Sequence, residues 1–197
     1  MKIVIINYGA GNIQSIKFAI KRLGYDAVLS HDMAEIQNAD KVIFPGVGEA
    51  SSAMQKLRDS GLDAIIPTLK QPVLGICLGM QLMCHSSEEG NTAGLGIFDV
   101  DVVKFRSRTP KEGIKIPQIG WNRIENLHSE LFQNVKEDFV YLVHSYYAPI
   151  CEETIATCSY GINYSAALQK DNFYGTQFHP EKSSEVGEQI LKNFLNM

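Results

Sequence analysis

A cysteine held between two glycines, in Gly75-Ile76-Cys77-Leu78-Gly79, has the G-x-nucleophile-x-G form of a strand-to-helix elbow. Small flanking residues let such a chain turn sharply and expose the central side chain. A thiol placed there can attack a carbonyl carbon. The helix expected beyond it would bring the positive ends of peptide dipoles toward a thiolate, and the Leu78 backbone N–H points where an oxyanion would form. A cysteine after an apolar strand can equally be a small buried hydrophobe, so the catalytic reading leans on a second segment. In Gln177-Phe178-His179-Pro180-Glu181 the histidine and glutamate flank a proline that fixes the turn at a strand end. A thiol needs a base, and the base needs an orienter. The order Cys77, His179, Glu181 supplies all three, although separation along the chain does not by itself make them meet.

The other cysteines and histidines suggest no second site. Cys84 follows Cys77 by about two helical turns, which predicts that it faces the core from the same helix, and Cys151 and Cys158 are expected to pack. None has the C-x-x-C spacing of a zinc or redox site. His31, His85 and His128 belong to no constellation and are expected at the surface or in local hydrogen bonds. No metal or cofactor is expected.

The elements that must position these residues follow from hydrophobic periodicity. The first half alternates short β-branched runs with amphipathic stretches, the pattern of βα units around a mostly parallel sheet. Lys2 to Asn7 reads as the first strand and Tyr8 to Gly11 as a glycine turn. Ile13, Ile16, Ile20 and Leu23 then recur at helical spacing up to Gly24, a C-terminal stop. Val42 to Phe44 is a buried strand closed by Pro45-Gly46-Val47-Gly48, followed by a helix through Met54 and Leu57. Val73 to Ile76 is the next strand, which puts Cys77 at a strand-to-helix junction, the edge where open α/β sheets place their ligands. Past about residue 95 shorter strands are predicted at Val100 to Phe105, Phe139 to Val143, Thr154 to Cys158 and Ser165 to Leu168, suggesting antiparallel additions. Phe173 to Gln177 is the last strand, and a helix carrying Val186, Ile190, Leu191, Phe194 and Leu195 closes the chain.

With 197 residues, 45% of them hydrophobic, one compact domain spanning 1–197 can bury a large core. A net charge of -4 lends no electrostatic support to a nucleic-acid partner. The start MKIVIINYGAGN is too short and wrongly flanked for a signal peptide or a membrane span. A cytoplasmic location with reduced thiols is therefore expected.

Together these residues resemble the class I, or triad, glutamine amidotransferases, whose elbow reads G-[IV]-C-x-G-x-Q and whose late motif reads H-P-E. This chain has GICLGMQ from Gly75 to Gln81 and HPE from His179. The resemblance covers the whole chain and implies a flavodoxin-like open, mostly parallel sheet with helices on both faces and added antiparallel strands. Further stretches are similar to the glutaminase subunits of imidazole glycerol phosphate synthases: NYGAGN from Asn7, PGVG from Pro45, PQIGWN from Pro117 and FHPEKSS from Phe178. That family implies roles residue by residue. Cys77 would form a γ-glutamyl thioester, His179 would take the thiol proton and pass one to departing ammonia, and Glu181 would hold the imidazole. Backbone N–H groups of Leu78, Val47 and Gly48, in the loop that begins at Gly46, would bind the oxyanion. Gln81, Glu89, Ser145 and Tyr146 would surround the glutamine backbone, with Glu89 suited to an α-ammonium. Val143-His144-Ser145-Tyr146-Tyr147 matches only a variable H-[ST]-Y pattern, which leaves the substrate loop less closely specified than the triad.

The same resemblance implies a (β/α)8-barrel cyclase partner that receives the ammonia in histidine biosynthesis, forming a heterodimer. Asn12, Trp121, Tyr141 and Lys182 would lie on or near that interface. Without the motif match, Trp121 would read as a core aromatic and Lys182 as a solvated charge. Three other readings compete: a paralogous glutaminase feeding a barrel partner for sugar amidation, a stand-alone cysteine hydrolase on the same scaffold, and a catalytically silent binding module. Gln81 and the PGVG loop argue against the stand-alone hydrolase.

Overall fold

The computed structural model describes residues 1–9, 11–106 and 113–197. Ile3, Val4, Ile5 and Ile6 are all buried, so this β-branched run, apolar on both faces, becomes strand β1 (Ile3–Ile6). Helix α1 (Ile13–Arg22) turns Ile16, Ala19 and Ile20 inward. Gly24 then stops it, taking the left-handed φ of 86° that glycine adopts freely. The alternation continues through β2 (Ala27–Ser30), α2 (Met33–Gln37), β3 (Lys41–Gly46), α3 (Ala50–Ser60), α4 (Leu62–Ile65), β4 (Val73–Cys77) and α5 (Leu78–Met83). Short strands follow: β5 (Cys84–Ser87), β6 (Thr92–Ala93), β7 (Phe98–Lys104), β8 (Gln118–Glu125), β9 (Phe139–His144) and β10 (Tyr146–Tyr147). β11 (Thr154–Ser159), β12 (Asn163–Lys170), β13 (Phe173–Thr176) and α6 (Ser184–Asn196) complete the chain.

The main sheet has nine strands in the order β2-β1-β3-β4-β13-β12-β11-β8-β9. Its first five are parallel neighbours, and the remaining pairs are antiparallel, as the change of pattern in the second half predicts. A smaller sheet runs β10-β7-β5-β6. Alternate residues of β1 feed two cores. Ile3 and Ile5 pack with α1 and α6, and Val4 and Ile6 with the buried side chains of α2, α3, α4 and α5. Helices therefore cover both faces of the sheet. Among the described residues no helix is long and apolar enough to cross a membrane.

Register places the chemistry. β3 and β4 run parallel with Pro45 beside Ile76 and Gly46 beside Cys77, while β13 flanks β4 on its other side with Thr176 beside Ile76. The Gly46 loop, the Cys77 elbow and the turn after β13 thus emerge together at one sheet edge. One expectation fails. α5 ends at Met83, and Cys84 leaves it with extended backbone to begin β5. Pairing of Cys84 with Phe98 on β7 overrides the helical periodicity, so this buried thiol packs from a strand.

Candidate active site

Cys77 is the last residue of β4 and stands at φ 54°, ψ -111°, a backbone region that costs a non-glycine residue about 1–3 kcal/mol. Close packing holds it there. A Cβ on Gly79 would lie 1.9 Å from the Phe44 carbonyl oxygen, and one on Gly46 would lie 2.6 Å from the Gly79 nitrogen. The glycines therefore let the end of β3 press against the elbow. Tyr8, from the NYGAGN segment, donates its hydroxyl proton to the Pro45 carbonyl at 2.9 Å and fixes the entry of the Gly46-Val47-Gly48 loop.

Cys77 is 8% exposed and lines a cleft of about 400 Å³, of a size that holds a small ligand. His179, on the turn after β13, lines the same cleft. Its Nδ1 lies 2.8 Å from Glu181 Oε1, with both side chains buried. The opposite nitrogen, Nε2, has no hydrogen-bond partner among the described residues. Burial disfavours an imidazolium, but the electrostatic influence of Cys77 and the bond and attraction to Glu181 outweigh it and raise the His179 pKa from 6.5 to about 10. Nearby negative charge and hydrogen bonding thus favour the charged imidazole more than burial opposes it. His144 behaves oppositely. Burial pushes it down to about 4, and its neutral ring sits between the Tyr146 carbonyl at 2.7 Å and the Tyr164 hydroxyl at 3.2 Å.

A model of the glutamine amidotransferase class-I family matches residues 4–197. The chain belongs to the class-I glutamine amidotransferases. A relative in Bacteroides fragilis (strain YCH46), named imidazole glycerol phosphate synthase subunit HisH, is 57% identical over 198 residues, covering 100% of both chains. A protein of the same name in Pectobacterium atrosepticum is 46% identical over 200 residues, again covering 100% of both. Among solved structures, PurLQS from Thermotoga maritima matches with a TM-score of 0.73 at 15% identity, covering 99% of this chain and 97% of that one. At that identity the match speaks to the fold alone.

In this class-I glutamine amidotransferase the residues singled out from sequence fall into two groups. Val47, Gly48, Leu78, Gln81, Glu89, Ser145 and Tyr146 line the cleft around Cys77 and His179. Glu89 also accepts the Ala50 N–H at 2.9 Å at the start of α3, and burial raises its pKa despite that bond. Trp121, Tyr141 and Lys182 lie outside the cleft. Trp121 and Tyr141 are cross-strand partners on β8 and β9, with ring centroids 6.1 Å apart, and the Lys182 ammonium sits 5.7 Å from the Tyr141 ring centroid. Trp121 is 53% exposed beside Ile119 and Phe139, so it is no core aromatic. Asn12 stands at the start of α1 and accepts the Ser15 hydroxyl. Behind the lining of the amidotransferase cleft lie two buried residues that motif reading left out. Gln177, written in the Q-F-H-P-E string but given no role, faces Cys77. Ser183 ties the Tyr141 N–H to the His179 carbonyl. A second cleft, of about 500 Å³, is lined by Val103, Lys104, Arg106 and Tyr147 among others, with no cysteine or histidine among the described residues that line it.

Proposed function

We infer that this chain hydrolyses L-glutamine through a covalent Cys77 intermediate and passes the ammonia to a barrel cyclase partner. It is the glutaminase subunit of imidazole glycerol phosphate synthase, in histidine biosynthesis. In the mechanism we propose, His179 Nε2 takes the thiol proton, and the sulfur attacks the carboxamide carbon of glutamine. Backbone N–H groups of Leu78, Val47 and Gly48 stabilise the oxyanion. The imidazolium returns its proton to the leaving nitrogen, the C–N bond breaks, and ammonia departs from a γ-glutamyl thioester. Water, giving its proton to His179, attacks the thioester. The C–S bond breaks, and glutamate leaves with Cys77 restored as thiolate. Glu181 holds Nδ1–H throughout, so that Nε2 is the basic nitrogen.

The observation that carries this reading is the Cys77 thiol on a strained turn, sharing a cleft with a histidine that Glu181 holds at 2.8 Å. Glu89 would receive the α-ammonium, with Gln81, Ser145 and Tyr146 around the rest of the amino-acid end. The partner would seat on the exposed apolar face formed by Ile119, Trp121 and Phe139, with Tyr141, Lys182 and Asn12 at its border. That face runs along β9 to Val143, whose carbonyl accepts the Cys77 thiol at 3.8 Å, so docking there reaches a residue in direct contact with the nucleophile. Four free cysteines suit the reducing cytoplasm in which we place the complex.

Cys77→Ala tests the mechanism. The variant complexed with its partner should lose glutamine-dependent synthesis yet keep synthesis from added ammonium salt, because the second half-reaction needs only ammonia. Retained glutamine hydrolysis would overturn the nucleophile.

A further inference from the structure

We propose that Gln177 is a positioning residue for the nucleophile, its carboxamide donating an N–H hydrogen bond to Cys77 Sγ and favouring the thiolate over the thiol. The inference rests on the glutaminase reading of Cys77. Gln177 is 0% exposed, and its Nε2 lies 3.8 Å from the sulfur, within reach of a long N–H···S hydrogen bond. Its main chain is anchored where β13 ends, the N–H donating to the Ala166 carbonyl at 2.8 Å.

The orientation of the amide follows from proton bookkeeping. Gln81 reaches the Tyr146 carbonyl at 2.9 Å, and a carbonyl only accepts, so the Gln81 atom there is its NH2 nitrogen. The same nitrogen lies 2.8 Å from Gln177, so the Gln177 atom it meets is the oxygen. The remaining end of Gln177, the one facing Cys77, is therefore a donor. One obligate acceptor at Tyr146 fixes both amides.

A donor that cannot be deprotonated acts differently from His179. The imidazole exchanges its proton with sulfur during the cycle, whereas Gln177 N–H stays on the sulfur and stabilises it whenever it carries charge. It does so before attack, and again when the thioester C–S bond breaks and the electron pair leaves on Sγ. In the covalent intermediate the sulfur is neutral and the bond is weakest. The effect therefore falls on the ionisation of Cys77 and on turnover, with little on glutamine binding.

The test is alkylation of the full chain by iodoacetamide as a function of pH, following the Cys77 adduct by peptide mass spectrometry. Gln177→Met keeps the length and removes the donor. It should move the inflection for Cys77 labelling up by about one pH unit. In the complex with its partner it should cut kcat roughly tenfold while KM for glutamine changes less than twofold. Gln177→Glu preserves the shape and the contact with Gln81 but faces the sulfur with an acceptor, and should move the inflection at least as far. An unchanged inflection in either folded variant overturns the proposal. Should neither variant fold, the native chain decides: the Gln177 side-chain amide resonances must shift as Cys77 ionises, and static resonances overturn it. Failure of the glutaminase reading shows differently, as wild-type complex that turns over no glutamine.

Discussion

Replacing Glu181 by glutamine keeps the shape of the side chain and deletes its charge. The bond it alters, His179 Nδ1 to Glu181 Oε1, is 2.8 Å long between side chains only 4% and 0% exposed, so solvent does little to screen it. Hydrogen bonds to charged groups contribute about 1.5–3 kcal/mol and neutral ones about 0.5–1.5. The variant should therefore withdraw on the order of 1–2 kcal/mol from the imidazolium, equivalent to about one pH unit. The folded His179 pKa stands above its ordinary value of 6.5, at about 10. Stability linked to its charge is accordingly complete below pH 6.5 and lost as pH rises through about 10. In Glu181→Gln that loss should still begin near pH 6.5 but end about one unit lower, so that less stability is at stake in total. Turnover should suffer more than stability. A glutamine can also present its NH2 to Nδ1, which leaves the proton on Nε2 and removes the base, so kcat for glutamine hydrolysis should fall by about 10²–10⁴. The assay is steady-state glutamate release by the complex across neutral and alkaline pH, with ammonium-dependent synthesis as control. A wild-type kcat and an unshifted alkaline limb in the variant would refute the role given to Glu181.

Three further outcomes follow from the same geometry. Trp121→Ala, at a side chain already exposed in the free chain, should leave the melting temperature unchanged but weaken partner binding by about 2 kcal/mol, roughly 30-fold in Kd by calorimetry. Gly79→Ala drives a Cβ against the Phe44 carbonyl oxygen and should cost about 2–3 kcal/mol, a fall of roughly 5–10 °C in Tm by scanning calorimetry. Glu89→Gln retains an acceptor for the Ala50 N–H but loses the charge offered to an α-ammonium. It should raise KM for glutamine about tenfold with a much smaller effect on kcat, and an unchanged KM would remove Glu89 from the substrate site.

Four of the five strands of the parallel half were legible as short buried runs, whereas β2, with Val28 and Leu29 exposed, carried no such mark. β1, β3 and β4 are buried whatever their partners, so composition alone marks them. β8 could not be read that way. Its exposed Ile119 and Trp121 alternate with Gly120 and Asn122, and the strand makes sense only once β9 pairs with it. α5 misled for a related reason, since what ends it is the pairing of Cys84 with Phe98, a contact that helical spacing does not encode. At the site, Cys77, His179 and Glu181 could be singled out because each carries reactive chemistry in a short motif, and the fold brings them to one place. Gln177 and Ser183 carry no such signature, and their hydrogen bonds are visible only when β13 is laid beside β4 and the turn after it is folded back onto β9.

The elbow at Cys77 has an evolutionary side. Its positive φ is a conformation in which glycine is at ease and every other residue is held against its preference. Selection for folding alone would therefore draw position 77 toward glycine, each step in that direction relieving the backbone. Only selection on turnover opposes that drift. A homologue that had lost its glutaminase duty but kept its partner should first record the loss here, where conformational preference and chemistry pull in opposite directions, and later in the cleft residues that carry no such tension.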